Sequence, residues 1–168
     1  MAHSEAADGP TIALEAKVVT ASDGVIAGTR EDRSGDAVEA RLVEAGWAVV
    51  ERRQIEDGVA SVRDTLIDLA DGFCGLIVTT GGTGFGPRDL TPEGTREAIE
   101  REAPGLAEAM RLCNDQGLGR LSRAIAGTRG QALILNTPGS TNGAVETLEA
   151  VLDVVPHAIV LLAGERPH

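Results

Sequence analysis

Tyrosine is absent from this 168-residue chain, and its only other aromatics are one tryptophan and two phenylalanines. The core therefore has to be aliphatic, built from Val, Ile, Leu and Ala, which suits helices packed on a parallel sheet. The same scarcity argues against the stacking platforms that bind single-stranded nucleic acid. Lysine is nearly absent: Lys17 stands alone, and the net charge is −11. Without a basic stripe, no nucleic-acid partner is expected. A local anionic ligand remains compatible with the acidity, because backbone amides, helix N-termini, a few Arg and a divalent cation can hold it. The histidines are His3, His157 and His168, two of them terminal, so no Ser-His-Asp arrangement is supported. The two cysteines, Cys74 and Cys113, match no zinc or redox spacing and read as small buried hydrophobes. No apolar run approaches the roughly 18 residues of a membrane span, and the longest, residues 154–163, is broken by Pro156 and His157. The N-terminus lacks a basic region followed by an apolar run, so a cytoplasmic protein without membrane association is expected.

What is present is alternation. Residues 1–10 are small and polar and read as a disordered tail, leaving residues 11–168 as one domain. Val18 and Val19 mark a first strand, and residues 22–34 read as a long loop. Ser34 is positioned to cap a helix over 36–45, ended by Gly46. A strand over 47–55, a helix over 59–70 and a short β-branched strand over 75–80 follow. Thr91 is expected to cap a helix whose first position is Pro92. Pro104 opens another helix, to about residue 114. Residues 124–128 and 132–136 flank Arg129-Gly130 as a hairpin, and Ser140 or Thr141 caps a helix through 154, with Pro156 starting a last one. The implied fold class is α/β: a three-layer sandwich with helices on both faces of a mostly parallel sheet, plus one late antiparallel hairpin strand.

In such sheets ligands bind at the carboxyl ends of the strands. Three loops lie there: 23–35, 56–58 and 79–93. The third reads T-T-G-G-T-G-F-G-P-R-D-L-T-P-E. Gly81, Gly82, Gly84 and Gly86 permit close backbone approach, and Thr79, Thr80 and Thr83 add hydroxyls, a combination that can nest a phosphate. It is neither a P-loop nor the dinucleotide fingerprint. The glycines alone fit a tight turn as well; Arg88, Asp89, Thr91, Pro92 and Glu93 tilt the reading to phosphate. Asp89 and Asp57 occupy neighbouring strand ends and can hold Mg²⁺ over a phosphate or orient an attacking group. Alone, Asp57 also fits an ordinary turn before Gly58, and Glu56 competes with it. Pro138, Gly139 and Ser140 form a strand-to-helix turn that can bind a phosphate or serve only as a turn. Ser122, Arg123 and Arg129 lie near the hairpin, Arg being the natural bidentate phosphate partner. Met110 reads as core. Positioning and metal electrostatics need no histidine.

Several motifs occur together. T-T-G-G-T-G at 79–84, R-D-L-T-P-E at 88–93, P-G-L-A-E-A-M-R at 104–111 and S-R-A-I-A-G-T-R-G at 122–130 resemble the molybdenum-cofactor biosynthesis family. L-N-T-P-G-S at 135–140 and S-D-G…D-R-S-G at 22–35 fit as well. The resemblance spans about residues 18–162 and is nearest the single-domain branch of molybdopterin adenylyltransferases and MoaB/Mog-type relatives. It implies a three-layer α/β fold, a homotrimer, and Mg²⁺-dependent transfer of AMP from ATP to the terminal phosphate of molybdopterin with release of pyrophosphate. The adenylylated pterin would pass to a molybdate-insertase protein. The catalytic and metal-binding carboxylates fall on Asp57 and Asp89. Substrate and nucleotide binding falls on Thr79, Thr80, Gly81, Gly82, Thr83, Gly84, Ser122, Arg123, Pro138, Gly139 and Ser140. The chain departs from many relatives at Gly24, where Arg is common, and at Thr137, where an apolar residue is common. A non-catalytic molybdopterin-binding scaffold and a molybdate-insertase-like domain are the competing readings. Retention of both carboxylates favours the enzyme.

Overall fold

A computed structural model describes residues 12–114 and 117–166, so the expected tail at residues 1–10, and with it His3 and His168, lies outside the described residues. Six strands form one sheet in the order β2-β1-β3-β6-β5-β4. These are β1 (Glu15–Ala21), β2 (Ala48–Ile55), β3 (Gly75–Thr80), β4 (Arg101–Glu102), β5 (Ala126–Arg129) and β6 (Ala132–Thr137). The four strands β2, β1, β3 and β6 run parallel. Strand β5 is antiparallel to both β6 and β4. The short β4 is an addition to the expected order: two exposed charged residues give no strand pattern in the sequence.

The helices are α1 (Asp23–Ile26), α2 (Arg33–Glu44), α3 (Val59–Ala70), α4 (Thr91–Ala98), α5 (Pro104–Leu112), α6 (Thr141–Glu149) and α7 (Val155–Leu162). Strand alternation sorts the core into two layers. Val18, Leu76, Val78, Leu133 and Leu135 face α2, α5, α6 and α7, meeting Val38, Leu42, Met110, Leu148 and Ile159. Val19, Ile77 and Ile134 face the other way onto Val62, Leu66 and Leu69 of α3 and Ala98 of α4. Strand β3 is buried along its whole length, the pattern of a central parallel strand covered on both faces.

Three expectations at helix starts are corrected. Residues 22–34 are not all loop: Ser22 accepts a hydrogen bond from Val25 N and caps the one-turn α1. The cap of α2 is Asp32, not Ser34; its carboxylate accepts from Gly35 N at 3.0 Å. It wins because Arg52 and Thr20 hold it in place, at 2.8 Å each. Ser34 instead joins its hydroxyl to that of Thr80 at 2.5 Å. Thr91 is the first residue of α4 rather than its cap, with Pro92 following, and Leu90 occupies the cap position without a side-chain bond. Cys113 is exposed rather than buried, and Cys74 is half-buried against the core; both are free thiols.

Close packing of α3 on α4 matters for what lies at their N-terminal ends. A methyl group at Gly94 would sit 2.7 Å from both the Val59 carbonyl oxygen and Val62 Cβ. With hydrogen there, the two helices approach, and the residues preceding them, Asp57 and Asp89, come to one place.

Candidate functional site

The carboxyl ends of β1, β2, β3 and β6 all point to one side of the sheet. On that side lies a cavity of about 960 Å³. Thr80, Gly81, Gly82, Thr83, Gly84, Asp57, Asp89, Pro138, Gly139 and Ser140 all line it. Residues from four separate segments thus meet at the switch from strands to helices, where open α/β sheets bind ligands.

The glycine loop is held open by backbone bonds. Gly81 N donates to Thr137 O at 3.1 Å, and Thr91 N donates to Gly82 O at 3.1 Å. Gly81 and Gly82 both have positive φ, at 94° and 67°. A Cβ on Gly81 would collide with the Ala21 carbonyl, and one on Gly82 would collide with Thr91 Oγ1 and lie 3.2 Å from Asp57 Oδ1. Only glycine fits a loop threaded this closely between two strand ends and a carboxylate.

The carboxylates flank that loop. Asp57 Oδ2 accepts from Asp23 N at 3.0 Å, leaving Oδ1 toward Gly82. Burial pushes the Asp57 carboxyl above the ordinary carboxylate range; the charges of Asp23 and Asp89 push the same way, against the Asp23 amide and the Arg88 charge. Asp89 Oδ2 accepts from Gly86 N at 2.8 Å and lies 3.0 Å from where a Gly84 side chain would begin. Asp23 is held well below its usual range, first by the Arg88 guanidinium bonded to it at 3.0 Å. Arg88 also donates to the Asp57 carbonyl oxygen at 2.6 Å, tying all three loops together.

Three residues expected to bind ligand do not line the cavity. Thr79 is 1% exposed, and its hydroxyl accepts from Asn136 Nδ2 at 3.0 Å inside the sheet. Ser122 Oγ accepts from Ala124 N at 3.3 Å. Arg123 is spent on internal support: its guanidinium donates to Gly84 O at 2.8 Å and Asp89 O at 2.5 Å, and pairs with Glu93. The physical reason is that the glycine loop has free carbonyls, and Arg123 satisfies them from outside. Arg129 lies away from the cavity and donates to Ala98 O.

The sequence reading missed other lining residues: Ser22, Thr29, Arg30, Glu31, Ser34 and Thr141. Most belong to the first strand-end loop, whose density of Ser, Thr, Asp and Arg was the available signal. Thr91, expected both as a helix cap and as part of the phosphate loop, has its Oγ1 buried beside Gly82 with no hydrogen-bond partner among the described residues.

Among the described residues no three His, Cys, Asp or Glu converge as a metal cage. Asp57 and Asp89 form a two-carboxylate pair instead, with Asp57 Oδ1 unspent. That donor set fits Mg²⁺, which keeps several waters and binds through one or two carboxylates together with substrate phosphates. The N-terminal amides of α6, whose cap residue Ser140 makes no side-chain bond, open on the same cavity and suit an anion. Among the described residues, no helix is long and apolar enough to cross a membrane.

Residues 17–157 match the sequence family described as "Probable molybdopterin binding domain". The chain is 38% identical to the molybdopterin adenylyltransferase of Escherichia coli K12, covering 90% of this chain and 86% of that one. It is 37% identical to the molybdopterin adenylyltransferase of Helicobacter pylori J99, covering 88% and 86%. Its fold superposes on the crystal structure of the molybdopterin biosynthesis enzyme MoaB from Thermus thermophilus with a TM-score of 0.85 at 44% identity, over 90% of this chain and 98% of that one. The Mog protein of Mycobacterium ulcerans gives 0.84 at 34% identity, over 92% and 100%. The chain thus belongs to the molybdenum cofactor biosynthesis family, in its MoaB/Mog branch.

Proposed function

We propose that this protein is a molybdopterin adenylyltransferase, moving AMP from ATP onto the terminal phosphate of molybdopterin with Mg²⁺ and releasing pyrophosphate. The observation that carries the reading is the placement of Asp57 beside Gly82 and of Asp89 beside Gly84 and Gly86, both lining one cavity with the glycine loop. Residues 11–168 act in it as one domain, and the active form is a homotrimer that hands its product to a molybdate-insertase protein.

In this reading Gly81, its own amide bonded to Thr137 O, shapes the loop so that the amides of Gly82, Thr83 and Gly84 and the Thr83 hydroxyl hold phosphate oxygens, and the N-terminus of α6 with Pro138, Gly139 and Ser140 holds a second anionic group. The terminal phosphate oxygen of molybdopterin attacks the α-phosphorus of ATP; the new P–O bond forms as the bond to the β-phosphate oxygen breaks, and pyrophosphate leaves. Asp57 and Asp89 would hold Mg²⁺ and, with it, orient the two phosphates. Mg²⁺ bound there supplies neutralisation of charge on the phosphates. The loop amides are fixed before substrate arrives, so charge developing on the phosphate oxygens meets dipoles that need no reorganisation. Arg123 keeps those dipoles in place through Gly84 and Asp89 without touching the substrate.

Purified protein incubated with ATP, Mg²⁺ and molybdopterin tests this directly by pyrophosphate release. Pterin binding without release would leave a non-catalytic scaffold as the function.

A further inference from the structure

Carboxylates crowd the cavity: Asp57 and Asp89 lie within it, Glu31 lines it, and Asp23 is bonded to Asp57. An anionic substrate therefore needs a cation there, and most of the nearby guanidiniums are already committed. Arg88 is bonded to Asp23 and to the Asp57 carbonyl. Arg123 is bonded to Gly84, Asp89 and Glu93. Arg33 is bonded to Glu31 at 3.0 Å. Arg30 is different. It lines the cavity, and its side chain makes no hydrogen bond or ion pair among the described residues.

Arg30 is also held in position by its backbone. The Gly24 carbonyl accepts from Arg30 N at 3.1 Å, from Thr29 N at 3.0 Å and from Thr29 Oγ1 at 3.2 Å. Two residues further on, Asp32 is anchored by Thr20, Arg52 and the start of α2. The stem of Arg30 then folds over Gly24: a Cβ there would fall 2.7 Å from Arg30 Cδ and 3.1 Å from its Cγ. Gly24 thus leaves the groove in which the Arg30 stem lies, and Arg30 lines the cavity with all five guanidinium donors unpaired among the described residues.

We propose that Arg30, laid over Gly24, is a substrate-binding residue that clamps a phosphate of the ligand entering this cavity. Its fork makes paired hydrogen bonds to two phosphate oxygens and offsets the carboxylates around it. This rests on the adenylyl-transfer reading only for which phosphate ester is bound; the clamp itself requires a polyphosphate or phosphate-ester ligand and nothing more.

The test measures binding and turnover separately. Calorimetry with inorganic tripolyphosphate and Mg²⁺ is run on the wild type, Arg30→Ala, Arg30→Lys and Gly24→Ala. Arg41→Ala is included because it removes the same charge from a residue paired with Glu149 outside the cavity. Loss of one charge-assisted phosphate contact, at about 1.5–3 kcal/mol, corresponds to binding weaker by about 10- to 150-fold in Arg30→Ala. Arg30→Lys should recover part of it, Gly24→Ala should weaken binding by displacing the stem, and Arg41→Ala should bind as the wild type does. In turnover, Arg30→Ala should raise the KM of one phosphate-bearing substrate with little change in kcat. Equal tripolyphosphate binding by wild type and Arg30→Ala, or binding by neither, overturns the clamp. Absence of pyrophosphate release by a wild type that does bind tripolyphosphate through Arg30 overturns the adenylyl-transfer reading and leaves the clamp standing.

Discussion

Asp23 and Asp57 hold each other by a reciprocal pair of hydrogen bonds: Asp23 N donates to Asp57 Oδ2, and Asp57 N donates to Asp23 Oδ1, each at 3.0 Å. The first and second strand-end loops are locked together by it, and Asp57 is left with one carboxylate oxygen for the cavity. Two carboxyls so close cannot both ionise freely. Arg88 sits on Asp23 and holds that one charged, so the proton is retained more readily at Asp57.

The acid limb of the kcat/KM profile should therefore lie above the ordinary aspartate value of about 3.9. Asp23→Asn removes a like charge and should move the limb down. Arg88→Ala removes the cation that favours ionised Asp57 and should move it up. Stability responds in the opposite sense to activity. A carboxyl whose pKa is raised by folding contributes its full stability below its unfolded pKa and loses it as pH rises through the folded value. Asp57→Asn should thus gain on the wild type in stability as pH rises from 4 to 7, read by denaturant midpoints at each pH. An unchanged acid limb in both Asp23→Asn and Arg88→Ala would count against this coupling.

Arg123 braces the glycine loop through two carbonyls and Glu93. Arg123→Ala should lower kcat/KM by about 10- to 100-fold, since misplacing a binding loop by an ångström has effects of that order. Amide hydrogen exchange across residues 84–89 should accelerate in the variant. Protection unchanged there, with activity lost, would instead put Arg123 in contact with substrate.

Gly82 tests the loop from inside. Gly82→Ala places a methyl against Thr91 Oγ1 and Asp57 Oδ1 at a φ of 67°. The left-handed backbone alone costs about 1–2 kcal/mol, and the collision adds to it. The variant should lose both stability, seen by thermal unfolding, and most of its activity. A fully active Gly82→Ala protein would show that the loop is not held as closely as described.

How the site was legible in the sequence follows from where each signal lies. Strand β3 and helix α3 were read at their observed bounds, because a β-branched run between glycines and a regular apolar stripe are local patterns. Asp57, Asp89 and the glycine loop were legible because composition and strand ends mark them together. The Ser140 cap of α6 and Gly46 at the end of α2 were legible, but the α2 N-cap was not, because competition decides it: Asp32 displaces Ser34 through bonds to Thr20 and Arg52 that lie 12 and 20 residues away. Arg123 looked like a phosphate ligand because its residue type suits one. Its commitment to the Gly84 and Asp89 carbonyls is set by tertiary packing, which the sequence pattern does not contain.

Asn136 belongs to that hidden group. Fully buried between β3 and β5, it donates to Thr79 Oγ1 at 3.0 Å and Thr95 Oγ1 at 2.9 Å, and accepts from Ile125 N at 3.2 Å. Asn136→Ala strands an amide and two hydroxyls in the interior, which should cost about 3 kcal/mol. Urea unfolding reads this. A loss under about 1 kcal/mol would mean that the network is dispensable.

Asp57 and Asp89 line one cavity beside the glycine loop, and in the proposed reaction they carry adenylyl transfer. Asp89→Asn changes one charge at the cavity and leaves the core untouched. The most direct measurement is pyrophosphate release from ATP, Mg²⁺ and molybdopterin by the wild type and Asp89→Asn, side by side, with circular dichroism on both. Release by the wild type, and a fall of at least about a hundredfold in a variant with an unchanged spectrum, is the result predicted. Normal turnover by Asp89→Asn, or no release by the wild type, would contradict it.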